Sequence, residues 1–252
     1  MQRSIEGEVA WVTGGGTGIG QAGAVRLAAA GAKIVLTGRR REPLDETAKM
    51  IRDKGGEAIV ALADMGKRDE VEAVARRIAE ECGRCDILVN SAGINVRNRK
   101  WADVDAPAFD SVIDANLSGP FYATAAVLPV MRKQKRGLII QISSWAGVYV
   151  SPLTGPAYSV SKHGLVALSE SLNQEECVNG IRSCCICPGE VATPILDKRP
   201  VPVSDADKAR MLQADDLGET ILFVARMPPH VCLNEILISP TWNRSYAEGV
   251  KL

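Results

Sequence analysis

A chain of 252 residues, 46% apolar, is long enough to bury one large core, and α/β chains of about 250 residues commonly form a single domain. Its 30 basic residues balance 30 acidic ones, so no net field recommends a nucleic acid or an anionic membrane, and a small molecule or a protein partner fits better. Met1 to Gly7 hold no apolar segment of signal-peptide length, and no later stretch approaches the ~18 uncharged apolar residues of a membrane span, which points to the cytoplasm.

In chain order, apolar runs of strand length alternate with helical patterns. Strands are expected at Val9 to Val12, Lys33 to Leu36, Ala58 to Leu62, Ile87 to Val89, Leu138 to Ile142, Arg182 to Ile186 and Glu235 to Ile238. Helices are expected at Gln21 to Ala30, Glu42 to Lys54, Arg68 to Glu81, Ser118 to Lys133, Pro156 to Val178 and Asp215 to Ala225. Such alternation implies right-handed βαβ units. The predicted fold is α/β: a single-domain, Rossmann-like, doubly wound parallel sheet of about seven strands with helices on both faces, spanning 1–252. Pro194 to Asp207, rich in Pro and charge, reads as a mobile loop or lid, and 194–212 as the substrate-loop region within that domain.

The cysteine count is odd and the chain is too long to need staples; Cys184, Cys185 and Cys187 fall in an apolar strand run. Cys82-Gly-Arg-Cys85 has redox or zinc-ligand spacing, but no second pair completes a site, so no metal is expected.

The first strand-to-helix turn reads Thr13-Gly14-Gly15-Gly16-Thr17-Gly18-Ile19-Gly20. Glycines there allow a tight turn and let the backbone approach a pyrophosphate, whose charge meets amides and the helix N-terminal dipole. The spacing Gly14-x3-Gly18-x-Gly20 departs from the general GxGxxG dinucleotide fingerprint. Further on, Tyr158-Ser159-Val160-Ser161-Lys162 places a phenol and an ammonium one helical turn apart on one face. A cation beside a phenol favours the phenolate and brings its pKa toward the working range, so the pair can serve as an acid/base. His163, adjacent to Lys162, points about 100° away and is read as structural.

These motifs resemble those of the short-chain dehydrogenases/reductases, whose glycine pattern is TGxxxGxG. The resemblance spans nearly the whole chain, with Asp64 after the third strand, Asn90-Ser91-Ala92-Gly93 after the fourth, Asn116 in Asp114-Ala115-Asn116, Ser143-Ser144 after the fifth, then Tyr158-x3-Lys162 and Pro188-Gly189. It implies a catalytic tetrad of Asn116, Ser144, Tyr158 and Lys162. Ser144 is preferred to its neighbour Ser143 because Gly147 follows at the family's usual offset. Ser91 stands where the usual motif has a second Asn. By resemblance, the dinucleotide is held by Gly14, Thr17, Gly18, Ile19, Gly20, Arg39, Asp64, Asn90, Ala92, Gly93, Tyr158, Lys162, Pro188, Gly189, Val191 and Thr193. Within that set Lys162 holds the nicotinamide ribose, Asp64 contacts adenine and Thr193 bonds the carboxamide.

Which dinucleotide is preferred follows from charge. Gly38 stands where an acidic residue would bind the adenosine ribose hydroxyls, and Arg39 follows it, so a 2′-phosphate is met by a guanidinium and NADP(H) is favoured, with NAD(H) as the alternative. Arg40 and Arg41 are competing readers of that phosphate. The substrate wall is drawn from Asn95, Val96, Arg97, Trp145, Tyr149, Val150, Leu153, Glu190, Ile195 and Leu196, with Arg97 read as a rim residue rather than a carboxylate clamp. The closing strand resembles that of NADP-linked members acting on small hydroxy acids. The favoured function is an NADP(H)-dependent oxidoreductase for a small or medium carbonyl compound and its secondary alcohol, with Tyr158 as acid/base. An isomerase, epimerase or dehydratase of the family and a non-catalytic nucleotide sensor are the other readings. A homotetramer is expected through the helices Ser118 to Lys133 and Pro156 to Val178.

Overall fold

A computed structural model describes residues 3–247 of the chain. In order the elements are β1 (Val9–Thr13), α1 (Gly18–Ala29), β2 (Lys33–Gly38), α2 (Arg41–Arg52), β3 (Ala58–Leu62), α3 (Arg68–Cys82), β4 (Ile87–Asn90), α4 (Ala106–Ile113), α5 (Gly119–Gln134), β5 (Gly137–Ile142), α6 (Pro156–Glu176) and β6 (Ile181–Pro188). The chain continues through β7 (Val191–Ala192), α7 (Asp205–Lys208), β8 (Leu212–Gln213), α8 (Ala214–Ala225), β9 (Glu235–Ile238) and α9 (Arg244–Ala247). The main sheet has seven strands in the order β3-β2-β1-β4-β5-β6-β9, every pair of them parallel.

Alternation along the strands explains the two layers. Ala10 and Val12 of β1 face one apolar cluster with Leu27 of α1, Leu44 of α2 and Ile221 of α8. Val9 and Trp11 face the other, with Val71 and Val74 of α3, Val127 of α5 and Leu172 of α6. The whole of β1 is buried, as a strand covered on both faces must be. The helices show the complementary pattern: α3 buries Val71, Val74, Ala75 and Ile78, one stripe at helical spacing. Trp11 is the largest fully buried side chain, and its indole N–H donates to Thr37 Oγ1 at 2.8 Å, so a polar atom in the core has its partner. Burying a side chain of this kind contributes roughly 1.5–3 kcal/mol.

Strand order reverses at β1: β2 and β3 lie to one side, β4 and all that follows to the other. In open α/β sheets the crevice beyond the carboxyl ends at such a point is where ligands bind. Thr13, ending β1, is in register with Thr37 on one side and Asn90 on the other, which brings the glycine turn beside both following loops.

Two features depart from the sequence expectation. The helix expected to begin at Ser118 is preceded by α4, capped by Asp105 accepting from Ala108 N, and a π-helical turn, Asp114–Ser118, joins α4 to α5. The stretch 194–207 is partly ordered by a 3-10 turn over Pro194–Lys198 and by α7, while β7 and β8 pair across its base. Among the described residues no helix is long and apolar enough to cross a membrane.

Candidate active site

The glycine turn is locked against the β4 loop. Gly14 has φ +66°, and a Cβ there would lie 2.8 Å from Ala92 N and Cα, so both its conformation and its neighbour demand glycine. Thr13 Oγ1 accepts from Ser91 N at 3.1 Å and Ala92 N at 3.2 Å, tying the two loops together. Ser91, where the family usually has Asn, takes part through its amide, which its side chain does not affect. Thr17 stands at the N-cap of α1 without a side-chain cap bond, and the first turn holds no acidic residue. The α1 amides are therefore available to an anion, as a pyrophosphate requires. Gly18 faces Thr193 across the cleft, a Cβ there lying 3.2 Å from Thr193 Cγ2. Ile19 packs against the core, and Val191 is buried on β7.

The remaining expected cofactor residues lie at or just beyond the carboxyl ends of the strands of the same sheet. Asp64 Oδ1 accepts from Gly66 N at 3.1 Å, which closes the turn after β3. Asn90 sends its side chain away from the cleft, donating to Pro120 O at 3.4 Å and Thr124 Oγ1 at 3.3 Å, so its contact with a dinucleotide would be through the backbone. A Cβ on Gly93 would be 3.4 Å from Asn116 Oδ1 and 3.6 Å from Lys162 Nζ, so the end of that loop adjoins the proposed tetrad. Gly189, after Pro188 at the end of β6, sits against Ser239 and Pro240. Arg39 is exposed and forms neither a hydrogen bond nor an ion pair with the rest of the described residues, while Arg41 lies 3.9 Å from Asp45.

Four side chains converge on the start of α6. Asn116 sits in the π-helical turn, fully buried, with Oδ1 accepting from Ile94 N at 2.7 Å and Nδ2 donating to Ile94 O at 2.9 Å and Ser161 Oγ at 3.2 Å. The π turn is what aims it there: an extra residue per turn rotates the side chain inward, a device common at functional sites. Lys162 Nζ donates to Ile142 O at 2.8 Å and lies 5.6 Å from the Tyr158 ring centroid. Ser143 is committed elsewhere: its hydroxyl donates to Lys162 O at 2.9 Å, and a Cβ on Gly147 would meet it at 2.4 Å. Ser144 accepts from Ala146 N at 3.1 Å, and its hydroxyl is near enough to Tyr158 to lower the phenol's pKa. Between the two serines, geometry favours Ser144.

The electrostatics differ from the sequence expectation in two respects, the direction of the Tyr158 shift and the charges that oppose it. Burial, the largest influence, holds the Tyr158 phenol above its ordinary value, where the sequence reading lowers it; the Ser144 hydroxyl and then the charges of Arg99 and Arg199 oppose it. Lys162 is itself pulled down to about 8 by burial, with Cys185 and Cys187 pushing weakly the other way. The charges that act on the phenol are thus two guanidiniums absent from the sequence reading of this site, and the lysine expected to lower it is not among its influences. His163 Nδ1 bonds Ser159 O at 2.9 Å within its own helix, a structural contact. Cys85 is buried, its thiol pushed up to about 12, which leaves it unreactive.

On the substrate side, Asn95 is buried and donates to Thr154 O at 3.1 Å, whereas Arg97 is exposed. Trp145 stacks edge-on with Tyr149 and lies 5.5 Å from the Tyr246 ring, so the segment after β9 reaches back over the cleft. Glu190 is paired with Arg199 at 2.6 Å and with Arg244 at 2.5 Å; burial pushes its carboxyl up, but the two guanidiniums outweigh it and the net shift is downward. Arg99, Arg199 and Arg244 went unread in the sequence. For Arg99 the available signal was the density of arginine in the loop after β4, which does not tell a buried side chain from its exposed neighbours.

A doubly wound sheet with an open helix N-terminus at its switch point and a Tyr–Lys pair beside it defines an enzyme that uses a dinucleotide. Residues 8–201 match the family model described as short chain dehydrogenase, and the chain belongs to that family of NAD(P)-dependent oxidoreductases. It is similar to an uncharacterised oxidoreductase of Staphylococcus saprophyticus, 35% identical over 94% of this chain and 98% of the relative. Among solved structures it is similar to a metagenomic short-chain oxidoreductase in complex with NADP, with TM-score 0.83 and 32% identity over 96% of this chain and all of the other. It is also similar to levodione reductase, with TM-score 0.85 and 28% identity over 93% of this chain and 96% of that one.

Proposed function

We propose that the protein interconverts a small or medium carbonyl compound and its secondary alcohol, a hydroxy acid among the candidates, using NADP(H), with Tyr158 as the acid/base. The observation that carries this reading is the gathering of Tyr158 with buried Lys162, whose Nζ lies 5.6 Å from the Tyr158 ring centroid, and with buried Asn116, beside Ser144. The dinucleotide supplies a hydride when bound; its pyrophosphate fits the uncapped α1 N-terminus and its 2′-phosphate the unpartnered Arg39. Tyr158, kept protonated at neutral pH by burial, gives its proton to the substrate oxygen while Ser144 bonds the same oxygen. Lys162 places a charge behind the phenol, and Asn116 fixes the Ile94 backbone and Ser161 around it. The NADP complex of the metagenomic relative supports the cofactor choice. A panel of carbonyls and alcohols followed at the nicotinamide absorbance tests the whole reading, and no turnover of any would defeat it.

Two further expectations accompany it. Lys162 is charged below about 8 and neutral above, so kcat/KM for carbonyl reduction should fall as pH rises through that value. A profile flat through that region would remove Lys162 from the mechanism. Phe121 on α5 and Val160 on α6 leave large apolar side chains exposed, at 51% and 52%, which supports a homotetramer built on those helices. Equilibrium sedimentation at micromolar concentration should show the tetramer, and a monomer would exclude it. The two clusters on either face of one sheet support a single unit over 1–252 with 194–212 on its substrate side, and the free cysteines suit a cytoplasmic setting.

A further inference from the structure

Arg99, in the loop between β4 and α4, is only 7% exposed, yet no carboxylate among the described residues pairs with it. Its Nη2 donates to Lys198 O, its Nε is buried, and neither Nε nor Nη1 has a partner among the described residues. The residue is held firmly. Gly155, the N-cap of α6, has φ +76°, and a Cβ there would fall 2.1 Å from Arg99 O and 2.9 Å from Arg99 Cβ, so the arginine backbone lies directly on the turn that starts the Tyr158 helix. Its charge reaches Tyr158, as does that of Arg199.

A buried cation without a counter-charge is costly, and proteins leave one only where something else supplies the anion. The partly buried carboxylates of this region are taken, Glu190 by Arg199 and Arg244 and Asp207 by Arg244 at 3.8 Å, while Asp197, beside Lys198, is exposed and pairs with none of the described residues. Three guanidiniums thus meet two carboxylates around the substrate side of the cleft, and the one left over is Arg99. A second buried donor, Trp145 Nε1, next to Ser144, is also without a partner.

We propose that the substrate is an oxo acid or its hydroxy acid, whose carboxylate is bound by the Arg99 guanidinium while its carbonyl or carbinol carbon faces Tyr158 and Ser144. This rests on the carbonyl–alcohol reading above. In reduction the carbonyl carbon takes the hydride as NADPH is oxidised to NADP+, the oxygen takes the Tyr158 proton, and the carboxylate is unchanged. Arg97, exposed on the same loop, stays at the rim.

The test compares acetoacetate and levulinate with their methyl esters under NADPH, in wild type, Arg99→Met and Arg99→Lys, beside neutral ketones such as cyclohexanone. Wild type should favour each acid over its ester in kcat/KM by about ten- to a hundredfold, the span expected for a charge-assisted pair. The acid-to-ester ratio should fall to about one in Arg99→Met and recover in part in Arg99→Lys, which keeps the charge but not the fork. A wild-type ratio at or below one, or a ratio unchanged in Arg99→Met, overturns the proposal, and the wild-type comparison decides alone if the variant does not fold. Turnover of neutral ketones with both acids inert would overturn it while leaving the oxidoreductase reading intact. Calorimetry with butyrate on the NADP+-loaded protein separates the opposite case: Arg99-dependent butyrate binding with no carbonyl reduced would uphold the carboxylate site and sink the carbonyl–alcohol reading.

Discussion

Tyr158→Phe should lower turnover at least ~100-fold, the usual cost of losing a general acid, while NADP(H) dissociation constants stay within about twofold. Only a hydroxyl is removed. Ser144 keeps its bond from Ala146 N, Lys162 keeps its bond to Ile142 O, and Asn116 keeps Ser161, so the framework around the missing atom is already satisfied by other partners. The loss would therefore report the acid rather than a rearranged site. Lys162→Ala should differ in kind, because it leaves the buried Ile142 carbonyl without its donor and removes the group assigned to the nicotinamide ribose. Cofactor binding and turnover should both fall there. Near-wild-type turnover in Tyr158→Phe would end the assignment of the phenol as acid, whatever Lys162→Ala showed.

The parts of the fold that were legible in the sequence are those set by local period. Each expected strand overlaps an observed one because a strand covered on both faces must be apolar throughout, and β5 and β6 are buried along their whole length. The helix expected over Ser118 to Lys133 is α5 to within one residue at each end, whereas α4, eight residues long and burying only Val112, is not expected because so short a run shows no apolar stripe. In the structure the π-helical turn ahead of Gly119 carries α4 into α5, and Pro120, in the first turn of α5, has no amide to leave unpaired. The sequence prefers Ser144 to Ser143 on the Gly147 offset alone, and only the fold supplies a physical reason, the Ser143 hydroxyl being taken by Lys162 O. Arg99 could not be found from sequence at all. Arg97, Asn98, Arg99 and Lys100 are all polar, and burial of one of them depends on Gly155 and Lys198, distant in the chain.

Arg39→Ala should cost NADP(H) one to two decades of affinity, about 1.5–3 kcal/mol for a charge-assisted contact, and leave NAD(H) nearly unaffected. Arg39 is exposed, with no partner among the described residues, so nothing inside the protein competes for its guanidinium or collapses when it is removed. It also lies just ahead of α2, where positive charge opposes the helix dipole and so gains nothing from the helix itself. Gly38→Asp should act in the same direction by a separate route, since a carboxylate accepts from the ribose hydroxyls of NAD and repels a 2′-phosphate. The backbone permits it: Gly38 is not among the glycines with positive φ, and a Cβ there would meet only the Leu44 side chain at 3.6 Å, ordinary van der Waals contact. One substitution removes a contact with the 2′-phosphate and the other adds one to the ribose hydroxyls of NAD, so together they should invert the preference rather than merely abolish it. Fluorescence titration of both cofactors against wild type, each single variant and the pair separates the outcomes. Equal losses for NADP(H) and NAD(H) in Arg39→Ala would return Arg39 to the role of a solvated residue ahead of α2 and pass the phosphate to Arg40 or Arg41, and a wild-type preference for NAD(H) would mean that the glycine after β2 was misread.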